Sequence, residues 1–98
     1  MKTLINETEK MLSKLKDRLE ACMMNNQEIC ISVECMFTNF LNTICIDDYS
    51  VDNGSIHLSY KDFEQNIILT DRMSIMYDDI EDSFKFIYDK ANIALCFV

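Results

Sequence analysis

Residues 28–46 read EICISVECMFTNFLNTICI. Whether this stretch is sheet or a second helix decides whether the chain is mostly β or evenly mixed. Ile29, Ile31, Val33, Cys35 and Phe37 alternate with Cys30, Ser32, Glu34 and Met36, the period of a half-buried strand. Val33, Met36, Phe37, Phe40, Leu41 and Ile44 also satisfy helical spacing. The β-branched residues at the start favour extended backbone, so the reading is a strand over residues 28–37. Residues 38–43 stay open, with a second helix as the alternative.

Downstream the pattern is all strand and turn. VDNGSIHLSY (residues 51–60) carries Asn53-Gly54, a strong short hairpin signal because both residue types accept positive φ. Ile56, Leu58 and Tyr60 alternate with Ser55, His57 and Ser59. KDFEQN (61–66) reads as a polar break before IILT, and RMSIMY follows. Phe84, Phe86 and Tyr88 share one side of SFKFIYD, residues 89–92 read as a turn, and Ile93, Leu95 and Phe97 face one way in IALCFV.

Upstream the pattern is helical. Ile5, Thr8, Leu12, Leu15, Leu19 and Cys22 recur at alternating spacings of three and four, and Leu4, Met11 and Met23 widen the stripe. Thr3 is the expected N-cap, and Asn25-Asn26 the expected stop, since asparagine tolerates the left-handed conformation. The stripe also fits a short coiled-coil seam, so a homodimer through residues 5–22 is the second choice. The fold class expected is therefore α+β. One domain spans 1–98: a helix over 1–25 packs on an antiparallel meander of about five to six strands over 28–98, able to curl into a small barrel.

Composition narrows the function. The chain has 98 residues, 49% of them hydrophobic, one glycine and no proline. A Gly-rich phosphate cradle is excluded, because it needs close backbone approach at several glycines. The longest uncharged stretch, Cys35 to Ile46, is far shorter than the roughly 20 residues of a bilayer crossing, and no apolar signal core follows Met1-Lys2. The chain reads as cytoplasmic. Its five cysteines (Cys22, Cys30, Cys35, Cys45, Cys96) form an odd set without CxxC, and read as small buried hydrophobes rather than a disulfide framework or zinc site.

The formal net charge is −8. Residues 1–25 hold five basic and four acidic side chains, whereas residues 26–98 hold four basic and thirteen acidic ones. Such a field repels phosphate backbones and anionic membranes. Neither nucleic acid nor a membrane is the expected partner; a Lys/Arg-rich protein is.

The densest polar stretch is YDDIEDSFKFIYD, residues 77–89. As a calcium loop it fails: starting at Asp78, position three is Ile80 and position six is Ser83, where an acid and a glycine are required. Asp48, Ser50 and Asp52 come nearer, but Asn53 takes the glycine position and Ser59 the final glutamate. Acid–base work needs one carboxyl in an apolar setting, and acids beside a turn are normally solvated. His57, the sole histidine, reads as a polar strand residue. No catalytic, cofactor or metal residues are therefore expected, and the chain is not read as an enzyme.

The remaining role is recognition. Asp47, Asp48, Asp52, Asp78, Asp79, Glu81 and Asp82 lie near strand ends. Antiparallel pairing could gather them along one rim beside Tyr77, where they would occupy the Arg and Lys forks that normally hold phosphates. The expected function is a stoichiometric protein-binding module, in its most concrete form an inhibitor covering the basic nucleic-acid surface of a partner. In size and charge it is similar to phage-encoded antagonists of host defence of the anti-CRISPR kind. The alternatives are an assembly module that oligomerises through its helix and a small-ligand-binding barrel.

Overall fold

The computed structural model describes the backbone of residues 2–36, 38–52 and 54–98, and within these all side chains but those of residues 2–8 and 38. Expectations for the side chains of Thr3, Leu4, Ile5 and Thr8, and for Phe37 and Asn53 altogether, lie outside the described residues. One helix, α1 (Lys2–Met24), precedes eight strands. These are β1 (Ile29–Cys35), β2 (Thr38–Ile44), β3 (Asp48–Val51), β4 (Ser55–Tyr60), β5 (Phe63–Ile68), β6 (Ser74–Asp78), β7 (Ser83–Ile87) and β8 (Ala91–Phe97).

Helix α1 buries the face its spacing marks out: Leu15, Leu19 and Cys22 are fully buried, with Met11, Leu12 and Met23 packed beside them. The seam a helix dimer would use is thus largely spent inside the chain. Asn26 stops the helix in the left-handed region, with φ 52°. The Gln27 N–H then donates to the Cys22 carbonyl at 2.9 Å and the Asn26 N–H to the Met23 carbonyl at 3.3 Å. These are the two bonds of a Schellman cap. Asn26→Ala is expected to cost about 1 kcal/mol in a urea melt, and Asn26→Gly almost nothing. Equal losses from both would show that the side chain, not the backbone, matters.

All strand pairings are antiparallel, in two sheets of order β2-β1-β8-β7-β6 and β3-β4-β5. One core joins them. Ile29, Ile31, Phe84, Phe86, Leu95 and Phe97 of the larger sheet meet Ile56, Leu58 and Ile67 of the smaller, together with the buried face of α1. The helix packs on β3 and β6, an edge strand of each sheet.

Several expectations need correction. The meander is not a closed barrel: β2 does not pair with β3, nor β5 with β6, so the ladder is interrupted twice. The open stretch 38–43 is strand, not helix, and forms a hairpin with β1 running from Ile29↔Ile44 to Cys35↔Thr38. Its helical spacing was coincidental, since Met36 and Leu41 are about 70% exposed (68% and 70%) while Ile44 is buried. The polar break KDFEQN is mostly β5. Only Lys61-Asp62 turn, with Lys61 at φ 53° and Tyr60 paired to Phe63. β3 and β4 pair as a hairpin from Asp48↔Ser59 to Val51↔Ile56, so the described strands flank the expected turn, but Gly54 does not take positive φ. The Asp52 carboxylate holds the turn instead, accepting from the Gly54 and Ser55 N–H groups, each at 3.0 Å. Of the cysteines only Cys22 is buried; Cys35 is exposed and the others are half-buried.

Candidate protein-binding surface

The β6–β7 turn, residues 79–82, is built by two carboxylates with different tasks. Asp78 Oδ1 accepts from the Ile80 N–H at 3.0 Å and the Glu81 N–H at 3.2 Å, which fixes the first half of the turn. Asp82 closes the second half in the left-handed region, φ 52°. Its carboxylate is held by helix α1: Arg18 donates through Nε to both oxygens at 3.1 Å and through Nη2 to Oδ2 at 2.6 Å. The Tyr77 hydroxyl donates to Asp82 Oδ1 at 2.9 Å, and Arg18 Nη2 also donates to Gln27 Oε1 at 2.7 Å.

Aromatic rings complete this joint. The Arg18 guanidinium lies 4.3 Å from the centre of the Phe97 ring, and Lys14 Nζ lies 4.0 Å from that of Tyr77. Tyr77 packs on Phe84 at 4.7 Å between centroids. The Arg18 fork, then the Tyr77 hydroxyl, hold the Asp82 carboxyl below its usual range against the opposing effect of burial. The same contact with Asp82 holds the Arg18 guanidinium above its ordinary value and the Tyr77 hydroxyl above its own.

What the turn presents is therefore neither Asp82 nor Asp78 but the residues between them. Ile80 is 93% exposed, flanked by the exposed Asp79 and Glu81. Glu81 also pairs loosely with Lys85 at 3.6 Å on the solvent-facing surface of β7.

The other acids divide. Asp47 and Asp48 stand at the start of β3, where Asp47 Oδ2 accepts from the left-handed Lys61 N–H at 2.7 Å. Beside them the Tyr49 hydroxyl donates to Glu20 Oε2 at 2.6 Å, and this bond, with burial and the nearby charges of Glu20, Asp17 and Asp48, pushes the hydroxyl up to about 12. Asp52 lies at the opposite end of β3 and serves its own turn. The single rim expected from the sequence is thus split. Asp47 and Asp48 lie on one flank of α1, and Asp78, Asp79, Glu81 and Asp82 on the other, because Arg18 and Glu20 are about 200° apart around the helix axis at 100° per residue. Sequence reasoning missed Asp17 and Glu20, which join the Asp48 group only through Tyr49. It also missed Ile80, whose signal was an apolar residue alone among four acids.

His57 lies on β4 between Ser50 and Asn66, and its Nδ1 shares a hydrogen bond with Asn66 Oδ1. Among the described residues no three His, Cys, Asp or Glu side chains gather as a set that could hold a metal ion. No described helix is long and apolar enough to cross a membrane. No family model, curated protein or solved structure matches this chain, so its function has to be argued from its own residues.

Proposed function

We propose that the protein is a non-enzymatic binding module that contacts a basic protein partner through the β6–β7 turn. Ile80 seats in an apolar socket, and Asp79 and Glu81 meet the Lys and Arg residues around it. The observation that carries this reading is an exposed apolar tip whose flanking turn residues are both tied down. An isoleucine 93% exposed is held between Asp78, which fixes the backbone, and Asp82, which is anchored to α1 by Arg18. A turn that served solubility alone would need neither the apolar tip nor the anchor. A preordered anchor residue lowers the ordering cost of association. The surrounding charge adds selectivity for cationic partners: among the described residues the ion pairs are Arg18–Asp82 and Lys85–Glu81, leaving most of the thirteen sheet-region acids uncompensated. A surface that binds phosphates through Arg and Lys forks has the matching chemistry, so the partner is a nucleic-acid-binding protein and the action is to cover its binding surface.

The test is capture from nuclease-treated lysate by the tagged protein at low and high salt, with three baits. The wild type is expected to retain a basic nucleic-acid-binding protein at low salt and to release it as the screening length falls from about 10 Å at 0.1 M toward about 3 Å at 1 M. Ile80→Ala and the pair Asp79→Lys with Glu81→Lys should each weaken capture at least about tenfold, some 1.4 kcal/mol. Capture by both variants at the wild-type level would sink the proposal, as would a wild type that retains no basic protein.

A further inference from the structure

Each sheet has two edges, and three of the four are guarded. Edges β3 and β6 lie against α1. Edge β5 carries the exposed Glu64, and its last carbonyl, that of Ile68, accepts from the Tyr88 hydroxyl at 2.7 Å. Edge β2 has neither device. It is seven residues long, TNFLNTI, has no charged residue and no proline, and falls inside the longest uncharged stretch of the chain. Natural sheets normally blunt such an edge with charge, proline, a bulge or a cover, because its unmet N–H and C=O groups template pairing.

The strand registers show which groups face outward. The Val98 N–H donates to the Glu28 carbonyl at 3.0 Å, which sets the phase of the β1–β8 ladder. Residues 30, 32 and 34 of β1 then bond to β8, and residues 29, 31, 33 and 35 bond to β2. On β2 the partners of those residues are 44, 42, 40 and 38. The backbone groups of Asn39, Leu41 and Thr43 are left pointing away from the sheet, and among the described residues nothing pairs with them.

We infer that β2 is a self-pairing edge. Two copies join antiparallel about a two-fold axis at Leu41, extending each five-stranded sheet into one continuous ten-stranded sheet. The outward set is symmetric about Leu41, so Asn39 pairs with Thr43 of the second copy and Leu41 with itself. Three such hydrogen-bonded pairs exchange six backbone bonds. The side chains agree with this register. Leu41, 70% exposed, meets its own copy on the outer face, Asn39 meets Thr43, and on the inner face Phe40 meets Asn42. The occupant is a second copy because the edge is complementary to itself: its outward set is symmetric about Leu41, and with no charged residue in it an antiparallel copy sets no like charges opposite one another. Chains of charge −8 repel one another over most of their surface, and they meet here at their least charged segment. The nearest sheet charge, Glu34, lies one strand inward opposite Asn39, and the two-fold axis places its copies in different rows. Edge β6 and the β6–β7 turn stand on the far side of the sheet, so a dimer leaves both acidic tips open.

Sedimentation velocity on the intact chain, from about 10 µM to 1 mM, tests this over the range of weak dimers. The wild type should move toward twice the 11.5 kDa chain mass as concentration rises. Raising the salt should strengthen the dimer by screening like charges, the opposite of the dependence expected for a basic partner. Leu41→Lys sets like charges across the axis, and Leu41→Pro removes an outward N–H without touching the β1 ladder. Each should weaken association at least about tenfold, with the circular dichroism and melting curve of the dilute protein unchanged. Amide exchange should show Asn39, Leu41 and Thr43 protected in concentrated wild type and unprotected when dilute. A wild type that stays monomeric throughout overturns the inference, whatever foreign strand the edge takes up. A dimer indifferent to both variants, with those three amides unprotected, also overturns it.

Discussion

Phe84→Ala is expected to remove about 3–5 kcal/mol of stability, the largest loss of any single truncation considered. Phe84 is fully buried on β7, between edge strand β6 and the central β8 of the five-stranded sheet, and is paired to Tyr77 and Leu95. Its ring packs on Tyr77 at 4.7 Å and meets Phe97 edge-on at 6.1 Å. The helix joint stands on those same rings, because Lys14 lies over Tyr77 and Arg18 over Phe97. The cavity left by truncation therefore opens directly beneath the contact between α1 and the sheet. A domain of this size holds roughly 5–15 kcal/mol in total, so the variant should melt tens of degrees lower, at about 4–8 °C per kcal/mol. Phe84→Leu should lose less than half as much, because it keeps most of the volume. Ile80→Ala, four residues away in the chain but 93% exposed, should stay within about 0.5 kcal/mol of wild type. Comparable losses for Phe84→Ala and Ile80→Ala would mean that the buried face of β7 is not part of the stabilising core.

The contrast between Phe84 and Ile80 also shows what the sequence could reveal. Phe84 and Phe86 announce themselves by strict alternation on a strand with one buried face, as Ile56 and Leu58 do. The helix announces itself because Leu15, Leu19 and Cys22 keep one face against the core, and its end because Asn26 is one of the few residue types at ease with φ 52°. Strand β2 gave no such signal. It is an edge whose inner face carries Asn42 and a 42% exposed Phe40, so alternation fails although the backbone is extended. Strand β5 hides in the same way, with Gln65 on its inner row. The pairing of β1 with β8 joins the two ends of the sheet region, and no local pattern encodes it. The site was legible as a place and not as a set of roles. Seven acids near strand ends could be named from the sequence, but which are exposed depends on partners far along the chain. Asp82 is engaged by Arg18, 64 residues away, and Asp47 by the backbone of a turn that carries no glycine.

Arg18→Ala is expected to cost about 1–2 kcal/mol, below most of the roughly 1.5–3 kcal/mol range of charge-assisted hydrogen bonds because the Arg18 and Asp82 side chains are 22% and 33% exposed. Arg18→Lys should recover less than half of this, because an ammonium cannot reproduce a fork that grips both Asp82 oxygens, reaches Gln27 and stacks on Phe97. The pH dependence identifies the charge as the cause. Asp82 has a folded-state pKa depressed below its unfolded value, chiefly by the Arg18 hydrogen bonds. A depressed carboxyl contributes stability in full above the unfolded value, about 3.9. That contribution fades as the pH falls through the folded value, where Asp82 takes up a proton in the native state as well. Asp82→Asn is the informative comparison, since asparagine tolerates the left-handed backbone at this position and removes only the charge. The stability difference between wild type and Asp82→Asn should be constant from about pH 5 to 7 and shrink steadily below about pH 4. Asp82→Ala should add a pH-independent loss of about 1 kcal/mol, the backbone strain of a Cβ residue at φ 52° without a side chain to offset it. If the wild type and Asp82→Asn curves run parallel through the acid range, the Arg18 contact is held by shape and packing alone. The tip carrying Ile80 would then owe its order to Asp78 and the backbone, and the anchor to α1 would have no electrostatic part in presenting it.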